Sequence, residues 1–330
     1  MLLKVWRDLN HNLPNSFKKV LINNYSLTNS KRSSLVQRKI QNSNPFWETQ
    51  VFERLELGSS LLFGRLGGTE ATCLGIYLDF KYKYKHPIRY LISKIMYNKR
   101  LDQLCNNAGV YPKTREMFDF FCEEHLNSLN LLDIFSVWGK PTAWVESNYT
   151  HKKKILFVSG DASFPWLEAR DGVSEVGWGM AFAGKKVLVV SSFIDSIKIQ
   201  VPKFNLIFKG LSIPEIHFQY LRAPMSQGGI DDGKSYKFHL LNLKRQIKTF
   251  DFDIALVSAG AYSLPLAAYA KELGKIGIHA GGAMQLFFGI TGRRYDNYSM
   301  VQKYFNSEWK RPFEHERPPN WMSIEDGCYW

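Results

Sequence analysis

The sequence predicts an α/β protein with a doubly wound, mostly parallel sheet that is flanked by helices. Short continuous apolar runs, rich in β-branched residues, recur along the chain and are closed by Ser or Gly. Segments with helical periodicity lie between these runs. Continuous apolar runs are typical of strands that are buried on both faces, and their alternation with helices favours parallel pairing.

Five apolar runs are predicted to be strands. Each leads into small residues that allow the chain to turn toward a helix. The runs are SSLLFGRLGG (59–68), KKKILFVSG (152–160), KKVLVVSSF (185–193), FDIALVSAG (252–260) and KIGIHAGG (275–282).

Four segments have apolar residues at the spacing of amphipathic helices. They are TEATCLGIYLDF (69–80), residues 101–140, DSIKIQVPKF (195–204) and YSLPLAAYAKELG (262–274). We therefore expect a basic N-terminal arm over 1–45 and a single domain over 46–330. A helical region over about 80–140 is predicted to be inserted between the first strand and the main sheet. From Tyr295 on, the chain is rich in Trp, Pro and charge and is predicted to form an irregular wrap.

The net charge of +13 results from 43 Lys and Arg residues against 30 acids. Residues 1–42 hold eight Lys/Arg and one acid, Asp8, and a second basic stretch at 81–100 interleaves Lys and Arg with Tyr. Nucleic acid, an anionic membrane surface and a polyanionic substrate are three partners that such charge attracts. A solvated basic face without a partner is the fourth interpretation. No nucleic-acid-binding module is evident, so a nucleic-acid partner is not expected.

The four cysteines and the hydropathy pattern indicate a reducing, cytoplasmic location. No two cysteines form a CxxC pair, so buried thiols are expected rather than disulfides or a zinc site. The first twenty residues lack the apolar core of a signal peptide. No uninterrupted apolar stretch approaches 18 residues, so we expect a soluble or peripheral protein.

The first predicted strand ends in a glycine-rich segment, Phe63 to Glu70, that could bind an anion. Glycines let the backbone approach a ligand closely, and an Arg fork suits phosphate. An acid in the first turn of the next helix could bind a metal or an acceptor hydroxyl, or could merely complement the helix dipole. The candidate residues here are Gly64, Arg65, Gly67, Gly68 and Glu70, and Glu70 is the catalytic and metal-binding candidate.

Two further predicted strands end in turns of glycine and small residues. Ligands of open parallel sheets bind beyond the carboxyl ends of the strands, so these turns could form adjacent N–H cradles for a diphosphate. A histidine at a strand end could contact phosphate, metal or a sugar hydroxyl, although such a residue is often a satisfied core group. The candidates are Gly260, Tyr262, His279, Gly281, Gly282 and Gln285.

Asp161, Gln227 and Glu325 are weaker candidates. Taken alone, each fits a structural role: a helix cap, a turn residue and a surface acid, respectively.

Taken together, these segments resemble bacterial proteins encoded among capsule and O-antigen genes, whose Rossmann-like fold is similar to the GT-D glycosyltransferases. The resemblance extends in order over roughly residues 46–330 and leaves only the arm uncovered. The matching pieces are FGRLGGTE (63–70), NAGVYP (107–112), GKKVLVVSSFIDSIKIQ (184–200), FDIALVSAGAYSLPLAAYAKELGK (252–275), IHAGGAMQLFFGITGRRYD (278–296) and EWKRPFEHERPPN with EDGCYW (308–330).

The GT-D enzymes share an Arg-x-Gly-Asp-Gly-Glu segment whose two acids serve the nucleotide-sugar diphosphate and its metal. Here Arg65, Gly67 and Glu70 match that segment, but Gly68 stands in place of the first acid. A departing diphosphate needs its charge neutralised by a divalent ion or by cations and helix N-termini. Dependence on Mn²⁺ or Mg²⁺ is therefore doubtful, and Arg293 and Arg294 are candidates for the cations that would neutralise the diphosphate instead.

The resemblance implies a glycosyltransferase that moves a sugar from a nucleotide-sugar donor, most simply a UDP-sugar, to a growing surface polysaccharide. The acceptor would be a glycan or an undecaprenyl-diphosphate-linked glycan at the inner face of the membrane, where the basic arm could attach. Two alternatives remain: another sugar-modifying or phosphate-handling enzyme, and a non-catalytic nucleotide- or glycan-binding subunit.

Overall fold

The computed structural model describes residues 47–83, 85, 87–137, 140–149, 154–159, 177–230, 232–302 and 304–330. The predicted arm at 1–45 and Asp161 lie outside these described residues. The first half contains α1 Trp47–Glu56, β1 Leu61–Gly64, α2 Gly68–Lys81, α3 Pro87–Ala108, α4 Arg115–Asn130, β2 Ile134–Val137, α5 Lys140–Tyr149 and β3 Leu156–Ser159. The second half contains β4 Lys186–Ser191, α6 Ile194–Gln200, α7 Phe204–Ile207, β5 His217–Arg222, α8 Tyr236–Ile247, β6 Ile254–Ser258, α9 Ser263–Glu272, β7 Ile276–His279, α10 Met284–Phe287 and α11 Ser299–Gln302.

The described strands form one seven-stranded sheet in the order β3-β2-β1-β7-β6-β4-β5. Every strand pairing is parallel; Phe63, for example, pairs with Ile134 of β2 and with Ile278 of β7. This confirms the predicted α/β class and its Rossmann-like, doubly wound arrangement. The sheet is wholly parallel within the described residues, because helices connect its strands and cover both faces.

Each face of the sheet supports its own hydrophobic core. Leu62, Leu188 and Val257 face helices α2, α3, α4, α8 and α9. Their sequence neighbours Phe63 and Val189 face the other way, toward α1, α6, α10 and the C-terminal segment. Successive strand residues point to opposite faces, so strands buried on both sides must be apolar at every position.

Two strands differ from the sequence prediction. β2 lies within residues 101–140, which the pattern predicted to be helical, and it pairs with β1, which thus has a neighbouring strand on each side. Only four residues, Ile134–Val137, form β2, and the apolar residues before them continue the periodicity of α4. The edge strand β5, His217–Arg222, is partly exposed and polar and was not predicted.

The C-terminal segment, residues 304–330, consists of short turns that end at the sheet. The backbone N–H of Arg293 donates to the carbonyl oxygen of Trp330 over 3.2 Å. The indole N–H of Trp330 donates in turn to the carbonyl oxygen of Glu316 over 3.2 Å. The Trp330 ring packs edge-on against Phe193, with ring centroids 6.0 Å apart. The segment therefore folds back onto the turn that follows β4.

None of the helices in the described part of the chain combines the length and the apolar character needed to span a lipid bilayer.

Candidate functional site

A cleft of about 200 Å³ lies at the carboxyl ends of the central strands β1, β7, β6 and β4. β4 and β6 are neighbours in the sheet, but the chain leaves them in opposite directions. After β4 it continues to β5 at the sheet edge, and after β6 it continues to β7 on the other side of β6. Ligands of open α/β sheets bind at such points. The cleft is lined by Arg65, Gly67, Gly68, Thr69, Glu70, Asn107, Ala108, Ser192, Phe193, Gln227, Ser258, Gly260, Ser263, His279, Gly281, Gly282, Arg294, Glu325 and Tyr329. We call it the glycine-lined cleft.

The turn between β1 and α2 holds the carboxylate of Glu70 over the first turn of the helix. Gly67 is the N-cap, and no side chain caps this helix end. A Cβ on Gly67 would overlap Oε2 of Glu70, so glycine is required for the carboxylate to fold back. Gly68, in contrast, has open space where its Cβ would be. Glu70 therefore complements the helix dipole and also faces the cleft.

Burial raises the pKa of Glu70 above the usual carboxyl range. Its own backbone N–H and the guanidinium of Arg65 act in the opposite direction, while the neighbouring carboxylate of Glu325 raises the pKa further. A carboxylate with a raised pKa exchanges its proton closer to neutral pH and suits general acid–base catalysis.

Two arginines lie against the glycine turn that follows β7. A Cβ on Gly281, which has φ +55°, would lie 3.1 Å from Nη1 of Arg65. A Cβ on Gly282 would overlap Nη1 of Arg294. Glycine at both positions lets the guanidinium groups approach the backbone, and it concentrates positive charge in the cleft.

His279 is neutral and has a defined tautomer. Its Nδ1 lies 3.1 Å from the carbonyl oxygen of Arg65, which only accepts, so Nδ1 carries the proton. Burial, together with the charge of Arg65, holds the pKa of His279 well below its usual range. The lone pair of Nε2 is therefore a hydrogen-bond acceptor in a half-buried ring that lines the cleft.

The turn after β6 approaches α3 through Gly260, which has φ +54°. A Cβ there would lie 3.1 Å from the carbonyl oxygen of Ala108 and 3.3 Å from Nε2 of Gln227. Gln227 is held in place because its Nε2 donates to the carbonyl oxygen of Asn107 over 2.9 Å. Gln227, a weak candidate from sequence, thus lines the cleft.

The C-terminal segment completes the cleft through a strained turn. Glu325 and Asp326 have φ values of 48° and 56°, in the left-handed region that non-glycine residues rarely adopt. Glu325 forms an ion pair with Nη2 of Arg294 over 3.2 Å, and that guanidinium lies 4.1 Å from the ring centre of Tyr329. Such strain persists where the surrounding structure enforces it.

Three candidates lie outside the cleft. Gly64 is a packing glycine, since a Cβ there would overlap Leu132. Tyr262 is 1% exposed and stacks on Tyr236 with ring centroids 4.8 Å apart. Gln285 is also buried, and its Nε2 donates to the carbonyl oxygen of Tyr329 over 2.7 Å.

Arg293 also faces away from the cleft. It is exposed, and its Nη1 donates to the carbonyl oxygen of Asp326 over 3.1 Å. Of the two neighbouring arginines, Arg294 alone is therefore placed to contact a ligand in the cleft.

Several lining residues were not predicted. Ser192 lies at the end of the apolar run predicted over 185–193 and directly follows β4, so it could have been found from its position at a strand end. Asn107, Ala108 and Tyr329 have no comparable sequence pattern, because a helix end and the C-terminal segment bring them to the cleft.

A second cavity of about 530 Å³ lies beside the cleft. Ser192 lines both. The other residues around this neighbouring cavity are Arg222, Ala223, Pro224, Met225, Ile230, His239, Asn242, Leu243, Gln246, His315, Glu316, Arg317, Pro318 and Pro319.

At its edge, Asp195, His315 and Glu316 form the one group of three potential metal ligands within the described residues. The carboxylate oxygens of this group already have partners. Nη2 of Arg222 lies 2.5 Å from Oδ1 of Asp195, and Nη1 of Arg222 lies 3.8 Å from Oε1 of Glu316. The backbone N–H of Asp195 donates to Oε1 of Glu316. An ion-pair network accounts for this group.

The donor set around Glu70 fits a metal poorly. The neighbouring carboxylate, Glu325, is paired with Arg294, and the guanidinium of Arg65 also lies in the cleft. Fixed cations therefore lie beside the carboxylates that would have to bind a divalent ion.

Comparison of the chain with protein-family models, with curated proteins and with solved structures gives no match in any of the three.

Proposed function

We propose that the protein is a glycosyltransferase that moves a sugar from a nucleotide-sugar donor to a hydroxyl of a growing surface-polysaccharide or lipid-linked glycan. One observation carries the proposal. Three glycine turns at the ends of β1, β6 and β7 meet in a single cleft that also holds Arg65, Arg294 and Glu70.

The proposed diphosphate site uses backbone and guanidinium groups. The first turn of α2 and the turns after β6 and β7 lie at the cleft, where the dipole of α2 attracts anions and glycines let a ligand approach the backbone closely. Arg65 and Arg294 add fixed positive charge beside Gly281 and Gly282. These cations would neutralise the charge that develops on the departing diphosphate, the part that a metal plays in many transferases.

Glu70 is the proposed general base. Its carboxylate would take the proton from the acceptor hydroxyl as that oxygen forms a bond to the anomeric carbon. The bond from this carbon to the diphosphate oxygen breaks, and the leaving diphosphate keeps the electron pair. Protonated Glu70 then loses its proton to water. The raised pKa of Glu70 supports this role, and attack opposite the leaving group would invert the anomeric centre. Neutral His279, which lines the cleft, would accept a hydrogen bond from a sugar hydroxyl.

Charge supports the proposed location. A lipid-linked acceptor, such as an undecaprenyl-diphosphate glycan, is held at the inner membrane face. The net charge of +13 and the basic residues of 1–42 would attract the chain to anionic lipid. A UDP-sugar is the donor that we propose to test first.

Ligand-dependent thermal stabilisation tests the proposal. At least one of the UDP-, GDP- and CMP-sugars should raise the melting temperature without Mn²⁺. Arg294→Gln should raise the Kd of that donor by about tenfold or more, since a lost charged hydrogen bond costs roughly 1.5–3 kcal/mol. Arg293→Gln, its exposed neighbour, should leave the Kd unchanged. Absence of stabilisation by every donor, with or without Mn²⁺, would refute the proposal.

A non-catalytic nucleotide- or glycan-binding subunit is the second candidate, and Gly68 in place of an acid favours it. Release of nucleoside diphosphate distinguishes the two. The transferase releases it in an acceptor-dependent manner, whereas a binding subunit retains the intact donor.

A further inference from the structure

The neighbouring cavity and the glycine-lined cleft share walls. Ser192, at the end of β4, lines both. The loop after β5 also borders both, with Met225 in the cavity and Gln227 in the cleft. The C-terminal segment borders both as well, with Pro318 in the cavity and Glu325 in the cleft. One elongated ligand could therefore extend from the cleft into the cavity along these walls.

The cleft is too small for a whole nucleotide sugar. Pockets that enclose ligands of that size have volumes of about 300–1,000 Å³. The cleft measures about 200 Å³, whereas the cavity measures about 530 Å³. If the diphosphate lies against Gly281 and Gly282, the rest of the donor must extend beyond the cleft.

Helix α8 presents polar side chains to the cavity at helical spacing. His239, Asn242 and Gln246 lie on one side of the helix and line the cavity. The imidazole of His239 is bonded to Asp232 over 3.1 Å. Throughout the part of the chain that the structure describes, the half-buried amides of Asn242 and Gln246 have no hydrogen-bond partner. A side-chain amide offers both donors and an acceptor, as the edge of a nucleobase requires.

Apolar side chains also line the cavity, beside the charged Arg222, Glu316 and Arg317. Pro224 and Met225 belong to the loop after β5, and Pro318 and Pro319 belong to the C-terminal segment. Such surfaces can pack against a flat ring while the amides bind its edge.

We propose that the neighbouring cavity binds the nucleoside of the donor, with Asn242 and Gln246 recognising the base. This proposal rests on the proposed function, because it takes the diphosphate to lie in the cleft. It makes α8 the element that selects the donor's base.

Calorimetric titration with pyrophosphate and with UDP, GDP, ADP and CDP tests the proposal. The wild-type protein should bind at least one nucleoside diphosphate about tenfold or more tightly than pyrophosphate, the ratio expected of two ordinary hydrogen bonds. The double variant Asn242→Leu, Gln246→Met should lose that preference and keep the Kd for pyrophosphate within about twofold. Leu241→Gln, at an exposed position of α8, is the matched control and should retain the preference.

The outcomes separate the two proposals. If neither pyrophosphate nor any nucleoside diphosphate binds, the proposed function fails and this inference fails with it. If pyrophosphate binds as tightly as the nucleoside diphosphates, the nucleoside does not lie in the neighbouring cavity, while the diphosphate site stands. The same conclusion follows if the folded double variant still prefers a nucleoside diphosphate to pyrophosphate as strongly as the wild type does. Circular dichroism and melting temperature show whether the variants are folded.

Discussion

The carboxylate of Glu70 lies where a helix dipole and burial act on it in opposite directions. The N-terminus of α2 favours the charged form, as do its own backbone N–H and Arg65, but loss of solvent outweighs them and raises the pKa. The folded chain therefore binds this proton more tightly than the unfolded chain does. Stability due to this group is greatest when Glu70 is protonated and is lost as pH rises through the raised pKa.

Glu70→Gln should lower kcat by about 10² to 10⁴-fold, the usual contribution of a general base. The variant should also become more stable relative to wild type as pH rises through the Glu70 pKa, because it carries no charge to bury. The rate of acceptor-dependent release of nucleoside diphosphate measures the first effect, and urea unfolding at several pH values measures the second. Glu272→Gln, at an exposed position, is the control. A wild-type rate in Glu70→Gln would remove the residue from the mechanism.

His125 provides an independent test of burial. It is 2% exposed, its Nδ1 lies 3.0 Å from the carbonyl oxygen of Phe121, and burial lowers its pKa to about 4. Below pH ~6.5 the unfolded chain gains a proton that the folded chain does not. Between pH 7.5 and 4.5 the wild type should lose about 2–3 kcal/mol more unfolding free energy than His125→Phe. Equal losses in urea titrations of the two proteins would contradict this.

At the scale of elements, position 68 in the turn between β1 and α2 is where the proposed metal-free binding of a diphosphate would differ from metal-dependent binding. Gly68 begins α2 with open space beside it, so a side chain fits there without rearrangement. An acid at the start of a helix is also favoured by the dipole. The cations of this region are Arg65, which directly follows β1, and Arg294, which lies in the turn between α10 and α11.

Gly68→Asp should therefore create a response to Mn²⁺ that the wild type lacks. An added charged contact of about 1.5 kcal/mol corresponds to a roughly tenfold gain in affinity for a nucleoside diphosphate when Mn²⁺ is present. Gly68→Asn has the same shape without the charge and is the matched control. Calorimetry with and without Mn²⁺ measures the gain, and equal responses in the two variants would show that the carboxylate recruits no ion.

At the scale of the whole molecule, the sequence predicts the interior of the sheet well and its less regular parts poorly. The cores of β1, β3, β4, β6 and β7 are apolar on both faces, which is a local pattern. β5 lies at an edge and keeps polar residues such as Gln219 and Arg222, so no pattern distinguishes it from a loop. β2 is too short to interrupt the periodicity of the helix before it.

The same reasoning explains which site residues could be predicted. Carboxyl ends of parallel strands share one edge, so Glu70, Gly260 and Gly281 were expected to meet. The direction in which a side chain points within these turns depends on tertiary contacts, so it cannot be predicted from the local sequence. Tyr262 and Gln285 point into the core, because aromatic stacking and a backbone carbonyl hold them there. The path of the C-terminal segment depends on tertiary contacts and could not be predicted.

The distribution of charge along the whole chain leads to a last prediction, on membrane attachment. The basic residues of 1–42 lie outside the described residues. In the basic stretch at 81–100, Lys81, Lys94 and Lys99 are exposed. Because each Lys or Arg near an anionic surface contributes roughly 1 kcal/mol, deletion of 1–42 should weaken binding to anionic vesicles by tenfold or more.

Replacement of the eight Lys and Arg residues of 1–42 by Gln should weaken binding as much as the deletion does, because charge rather than chain length is responsible. Neutral phosphatidylcholine vesicles should bind neither form, and raising the salt concentration should abolish the difference between wild type and variants. Co-sedimentation with vesicles measures all three. If the full-length chain and the deletion variant bind anionic vesicles equally, the arm has no part in attachment, and the exposed lysines of 81–100 become the next surface to neutralise.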